Sequence, residues 1–400
     1  MGRKMVRALV KKDILVWARK SAGYELEELA ASSRFKNIAK WESGELQPTI
    51  GQLRDLGKKY KRPLAVFYLQ EVPDDFQVIR DFRRLPGEGL PRLSPRLRLQ
   101  IRAAQERREV ALDLLSEMGE VPPKLALAAK LDDDPEEVAA RIRGLLKITE
   151  SLQAGWKVSR EAFNAWRRHI ENVGVLVFQM DGIDTSEASG FALAEQVLPA
   201  IAINRKDAIS RRVFTLLHEF VHLLLRESGV SEFELNLERP PEEQRIEVFC
   251  NAVAAATIFP RVMFLREPTI QKHPASQSAW SDAEIGELAD TFGASRTAVV
   301  RRLLTFNLTT NDFYVEKEQQ YREEYFLWLK NRKADYKEKE FRGRNMPNEA
   351  ISLLGRNFVR MVLTPYHNDR ITLRDASAHL NLKTRHIPKL EKALMAELAL

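Results

Sequence analysis

His218-Glu219-Phe220-Val221-His222 sets two imidazoles four residues apart within an apolar run from Val213 to Leu225. On a helix, residues four apart share a face. Both rings can therefore point at one Zn²⁺, with Glu219 beside them placed to take a proton from bound water. Seven histidines occur in 400 residues, so H-E-x-x-H arises by chance in on the order of one such chain in a hundred. The alternative is a buried helix that happens to carry two histidines, whose rings would then need other partners, because unpaired polar groups are costly to bury.

Two histidines do not complete a catalytic zinc site, which has three protein ligands and a water. No H-x-x-G-x-x-H follows His222, so a third histidine of that type is excluded. His273 lies beside Pro274 in a polar loop and is a poor candidate. Glu247 is better, because it stands in Glu243–Ala256, a second helical run with apolar residues all around it. A glutamate there must face water, a cation or a metal; the alternative is a partly exposed acid near a helix start. Asn251, four residues on, could orient the Glu247 carboxylate or a ligand histidine. The oxyanion donor that acyl chemistry needs is unassigned, with Arg212 and a tyrosine or histidine from another segment as the groups considered.

The elements that must position these groups follow from the pattern. The histidine helix is expected to start near Asp207 or Ser210 and to run to about Arg226. Before it, Val173–Gln179, Gly190–Leu193 and Ala200–Ile203 read as short β-branched, apolar strands. A small sheet backed by the metal-binding helix is the α+β arrangement expected of a zinc peptidase.

Composition agrees with a soluble multidomain chain: 44% hydrophobic and 30% charged residues are ordinary globular values. No apolar run approaches the roughly 20 residues that span a bilayer, and the charged N-terminus shows no secretory signal. The single cysteine, Cys250, excludes an intramolecular disulfide and fits a reducing compartment. A cytoplasmic location without membrane contact is therefore expected. The formal charge of +7 is compatible with nucleic-acid contact without requiring it.

Residues 1–70 read as four or five short helices, the pattern of a compact helix-turn-helix bundle. Leu29-Ala30, Ile38-Ala39-Lys40-Trp41-Glu42-Ser43-Gly44 and Pro48-Thr49 resemble the Cro/C1-type (XRE) helix-turn-helix. In that family the helix ending at the tryptophan lies in the DNA major groove, so the resemblance implies Arg34, Lys36, Asn37 and Lys40 as contacts to duplex DNA. The interval from Ala30 to Trp41 is about two residues shorter than the family pattern, which implies a shortened or misaligned recognition helix; a bundle for partner docking or dimerisation is the alternative. Residues 71–95 are a Pro/Gly/Arg-rich linker. The arginines between Arg80 and Arg108 read as the solvated face of a helix rather than a phosphate-contacting patch. Residues 96–170 form a helical region, with Asp134-Pro135-Glu136-Glu137 supplying a cap, a first-turn proline and acidic first-turn residues.

His-Glu-Phe-Val-His, followed by Glu247, Asn251, Ala254-Ala255 and Pro260, resembles the ImmA/IrrE family of zinc metallo-endopeptidases across about 171–305. Asn204, Arg211-Arg212 and Phe214-Thr215 match as well. The resemblance implies a zincin-like (thermolysin-like) core, Zn²⁺ held by His218, His222 and Glu247, Glu219 as catalytic base, and a transcriptional repressor as substrate. A leading XRE-type domain is common in that family. Cys250 stands where the family usually has alanine and reads as a small core residue; a redox-sensing or zinc-competing role would require exposure.

Ile285–Leu304 could pass for another helix-turn-helix but is expected to complete the peptidase fold. Residues 306–345 read as a charged, solvated helical connector, and 346–400 as a separate small unit with helix-turn-helix-like spacing. The expected fold is thus multidomain and mainly α, around an α+β zincin-like core with a small β-sheet. The expected function is a regulatory zinc endopeptidase of stress response or of a phage or mobile element. Its rival is a DNA-binding regulator or antitoxin-like module whose metalloprotease core is silent or sensory.

Overall fold

The structure, a computed structural model, describes residues 7–73, 80–81, 93–156, 158–227, 229–231, 241–274, 277–339 and 345–396. Two units divide the chain, residues 1–78 with 89–103 and residues 79–88 with 104–400. Most of the 71–95 linker lies outside the described residues.

The first unit holds α1 (Lys12–Ser21), α2 (Leu26–Ala30), α3 (Ile38–Ser43), α4 (Ile50–Tyr60) and a 3-10 turn, Leu64–Tyr68. Local chemistry sets these boundaries. Gly44, at φ +83°, stops α3 in a left-handed conformation that glycine adopts without strain. Thr49 and Gln52 cap the start of α4 reciprocally. Ile14, Leu29, Ile38, Trp41, Leu53 and Phe67 are buried together. Arg19 clamps Glu42 at 2.8 and 3.0 Å and so ties α1 to α3.

Helix α5 (Pro95–Glu117) follows. Its arginines are used differently from the solvated face expected of them. Arg102 is buried and donates to the Tyr60 and Lys61 carbonyls at the C-terminal end of α4, while Arg108 donates to the carbonyls of Val197 and Leu198. A guanidinium can serve several carbonyls at once; the sequence spacing alone did not disclose those acceptors.

In the second unit α6 (Pro135–Leu146), α7 (Glu150–Ala154) and α8 (Ser159–Asn172) precede the sheet. Asp134 caps α6 by accepting from Glu136 and Glu137, as its sequence predicts. The sheet is ordered β1-β5-β3-β4-β2, with β1 (Arg80–Asp81), β2 (Leu176–Met180), β3 (Gly190–Leu193), β4 (Ala200–Asn204) and β5 (Gly229–Ser231). Strand β3 runs antiparallel to both neighbours, and β2 is parallel to β4 with Phe178 opposite Ala202. β2 starts later than the expected Val173, because Val173 and Gly174 still close α8 and Gly174 turns at φ +90° against Pro123. Every residue of β2, β3 and β4 is buried.

Helix α9 (Ile209–Leu225) packs on β3 and β4, between α8 and α10 (Pro241–Ile258). It has no side-chain N-cap. A cap is worth about 1 kcal/mol, whereas each fully buried Leu, Val or Phe is worth roughly 1.5–3 kcal/mol. Val213, Leu216, Leu217, Phe220, Val221 and Leu224 are all buried, so packing decides this helix. Short helices α11 (Arg261–Leu265) and α12 (Pro268–Lys272) lead to α13 (Asp282–Phe292) and α14 (Arg296–Thr305), whose Leu288, Phe292, Val299 and Leu303 join the same core. The Ile285–Leu304 pair is thus part of this core, as expected.

Helix α15 (Asn311–Lys339) departs from the solvated connector expected of it. Tyr314 and Tyr321 are buried in the core, and Tyr325 donates its hydroxyl to Asp207 at 2.6 Å. The aromatic stripe at helical spacing is present in the sequence but is masked there by dense charge. Of the final helices, α16 (Met346–Leu354), α17 (Arg356–His367), α18 (Leu373–His379) and α19 (Ile387–Ala396), α16 packs on β2 and α17 on α8, α18 and α19 pack on α17 and α16 respectively, and the Ser352 carbonyl accepts from Arg167 and Gln179 at 2.8 and 2.7 Å. No described helix is long and apolar enough to cross a membrane.

Gly355 joins α16 to α17 at φ +81°, and a Cβ there would lie 2.5 Å from Glu171 Oε1 and 2.7 Å from the Val177 carbonyl. Gly355→Ala is expected to destabilise the second unit by about 2 kcal/mol or more, through strain and overpacking together. Urea unfolding followed by circular dichroism measures it, and an unchanged midpoint would contradict this account of the junction.

Candidate metal centre

Helix periodicity places His218 and His222 one turn apart on α9, and Glu247 and Asn251 one turn apart on α10. The two helices pack so that three donors converge. His218 Nε2 lies 3.5 Å from Glu247 Oε2, His222 Nε2 lies 3.2 Å from Glu247 Oε1, and the two Nε2 atoms are 3.1 Å apart. One ligand atom from each residue falls within 4.8 Å of the others. This is the one such group of three among the described residues.

The donor chemistry fits a divalent cation. Two imidazole nitrogens and a carboxylate are borderline-to-hard donors of the kind zinc takes. His218 Nδ1 stands 2.9 Å from Asn251 Oδ1. An amide oxygen only accepts, so Nδ1 carries the proton and Nε2 is left as the lone-pair nitrogen facing the cluster. Asn251 is thus hydrogen-bonded to His218.

Burial makes the electrostatics strong. His218 is 5% exposed, Glu247 2%, and Glu219 and His222 0%. Burial pushes the His218 pKa down, but the adjacent Glu247 carboxylate outweighs this and raises it above the ordinary imidazole value. For Glu247 burial pushes the pKa up, yet the His218 and His222 imidazoles hold it below the usual carboxylate range.

Glu219 sits on α9 beside His218, on the side facing β3. A Cβ at Gly190 would be 2.9 Å from Glu219 Oε1 and 3.0 Å from Thr215 Cγ2. Gly190 therefore lets the strand backbone pass close to this carboxylate. It went unnoticed in the sequence, where a glycine at a strand start is unremarkable. Beyond Asn251 a cavity of about 370 Å³ opens, walled by Phe214, Val248 and Ala252 and flanked by Arg261 and Arg301.

Other candidates are located elsewhere. His273 stacks on Trp280 at 3.6 Å and meets Glu284 at 3.0 Å, outside the cluster. Arg212, considered as an oxyanion donor, instead spends its guanidinium on the Asp207 and Arg205 carbonyls and on Gln179 Oε1 at 3.1 Å. Asn204 is buried and bonds the Ala188 carbonyl at 2.8 Å, a structural role. Cys250 is fully buried, and burial, then the nearby carboxylates, push its thiol pKa up; this is a core residue without the exposure a redox sensor needs.

In the first unit, α3 is only six residues long. Residues 31–37 are turns and bends around buried Phe35, so Arg34 and Lys36 precede α3, Asn37 stands at its N-cap, and Lys40 alone lies on the helix. Arg34, Lys36 and Lys40 are exposed, with Arg34 3.9 Å from Asp55 and Lys40 3.1 Å from Glu45.

A search of curated proteins finds no match for this chain. Residues 170–304, from the end of α8 through α14, match the model of the peptidase M78 family, described as the IrrE N-terminal-like domain, and this stretch carries all three converging donors: it is similar to a metallopeptidase-type domain.

Proposed function

We propose that this protein is a regulatory zinc-dependent endopeptidase that cuts a transcriptional repressor-like protein. The convergence of His218, His222 and Glu247 inside the M78-like stretch carries this reading. In it, His218, His222 and Glu247 hold the ion, and Asn251 keeps His218 in the tautomer that can bind it. Zn²⁺ bound there supplies Lewis acidity, which makes water acidic near neutral pH and polarises a carbonyl oxygen.

The chain's own residues do the rest. Glu219 accepts the proton lost by the attacking water on its carboxylate and passes it to the leaving amine nitrogen. The surrounding apolar side chains of α9 and α10 exclude bulk water and strengthen each electrostatic contact. The cavity beyond Asn251, walled by Phe214, Val248 and Ala252, offers an apolar seat for a substrate side chain.

Glu219→Gln is expected to keep the metal and lose cleavage of a co-expressed repressor by several orders of magnitude, with metal content read by mass spectrometry of the intact protein. Retained proteolysis in that variant would remove Glu219 from the mechanism and, if it persists in His222→Ala, the peptidase site itself. Metal titration tests the donor set separately. Asn251→Ala should weaken binding by about 10–100-fold. In the wild type, affinity should fall as pH drops, because protons compete for a His218 whose pKa is raised. Calorimetry in two buffers of different ionisation enthalpy should record proton release; pH-independent affinity would argue against these ligands.

The first unit is proposed to carry the enzyme to duplex DNA, with Arg34, Lys36, Asn37 and Lys40 as contacts. The exposure of its three cations supports this. Affinity for duplex DNA should then fall linearly with the logarithm of salt concentration. Absence of binding at low ionic strength would leave partner docking as the role of this unit.

A further inference from the structure

A second cavity, of about 150 Å³, lies where α8, β2 and the start of α17 meet, away from the metal centre. Its wall is polar. Arg160, Arg167, Arg168 and Arg356 line it together with Glu171 and Asn348. Four guanidinium groups thus face a single carboxylate.

The floor is already satisfied. Arg167 and Glu171 are both buried, one turn apart on α8, with Nε 3.2 Å from Oε1. Arg167 also donates to the carbonyls of Ser352, at 2.8 Å, and Val177. Glu171 additionally accepts from the Arg356 backbone N–H. This pair therefore has its charge and its hydrogen bonds spent internally, as a buried ion pair must.

The rim is different. Arg160 and Arg168 are two turns apart on one exposed face of α8. Among the described residues neither has an ion-pair or hydrogen-bond partner. Arg356 approaches from α17, where burial first, and then the charges of Arg168 and Arg167, push its pKa down against the opposing pull of Glu171. Arg160 and Arg168 bring to the recess two charges that no described carboxylate pairs with, and Arg356 adds a third guanidinium within reach of Glu171, so an added anion is attracted there. Guanidinium forks match the oxygen geometry of phosphate, often bidentately. The small, bounded recess fits one such group, whereas a polynucleotide backbone is tracked by an extended basic stripe.

We infer that this cavity binds the phosphate group of a small molecule, inorganic phosphate or a phosphomonoester, between Arg160 and Arg168 on α8 and Arg356 on α17. The ligand bridges the core to the C-terminal helices and so stabilises their packing on β2. This inference stands independently of the peptidase reading.

The test uses the full chain in a low-salt buffer free of phosphate and sulfate. Isothermal titration with inorganic phosphate and, separately, with phenyl phosphate should show saturable binding of at least one probe at one site per chain, with a raised melting temperature. The tighter probe identifies the free or the esterified source. Arg160→Ala/Arg168→Ala, both exposed positions, should fold as the wild type by circular dichroism, keep its metal content, and bind about tenfold or more weakly. Wild type that binds neither probe, or a double variant that binds as tightly as wild type, overturns the proposal. So does a duplex oligonucleotide that binds through Arg160 and Arg168 when both small probes do not.

Discussion

A carboxylate buried among apolar side chains is tolerated only beside positive charge or a cation. Glu247 is such a carboxylate, and its two oxygens face the Nε2 atoms of His218 and His222. The pairing of α9 with α10 depends on this contact, because either helix alone would carry an uncompensated polar group into the core. It also explains why the apolar shell is so complete. Phe214 stacks on His218 with ring centroids 6.3 Å apart, and burial of all three donors keeps their mutual attraction strong. Asn251 completes the arrangement by fixing which nitrogen of His218 faces inward.

A second polar system holds the start of α9 and reaches it from the far end of the chain. Arg212 binds the carbonyls before the helix, and Gln179 accepts from Arg212 while donating to Ser352 of α16. Asp207, just ahead of α9, receives the hydroxyl of Tyr325 on α15. Helix α9 has no side-chain N-cap, and this network anchors the segment just ahead of it. The C-terminal helices are thereby mechanically linked to the element that carries His218, Glu219 and His222. Burying such hydrogen-bonded networks fixes one arrangement, since each partly satisfied alternative leaves polar groups unpaired.

Much of this was legible in local pattern. The H-E-x-x-H spacing, the apolar surround of Glu247, the Asp134 cap and the three short strands each follow from rules that act within a few residues. What escaped is of one kind. The carbonyl-bonded roles of Arg102 and Arg108, the inward tyrosines of α15, and the docking of α16 on β2 each require a partner tens or hundreds of positions away. A charged or aromatic side chain reads the same in sequence whether that partner is water or a distant carbonyl.

The sequence by itself determined the groups available: two imidazoles at helical spacing with a carboxylate beside them, and on a second helical run another carboxylate with an amide one turn away. Helical periodicity is a local property, so it survives without knowledge of the fold. Only the tertiary structure decided which atoms meet. It turned Asn251 toward His218 Nδ1, aimed Arg212 at backbone carbonyls and away from the metal centre, brought Gly190 against Glu219, and left Arg160, Arg168 and Arg356 around one recess. These outcomes depend on the crossing of elements far apart in the chain, and that crossing is set by packing of the whole core rather than by any local run of residues.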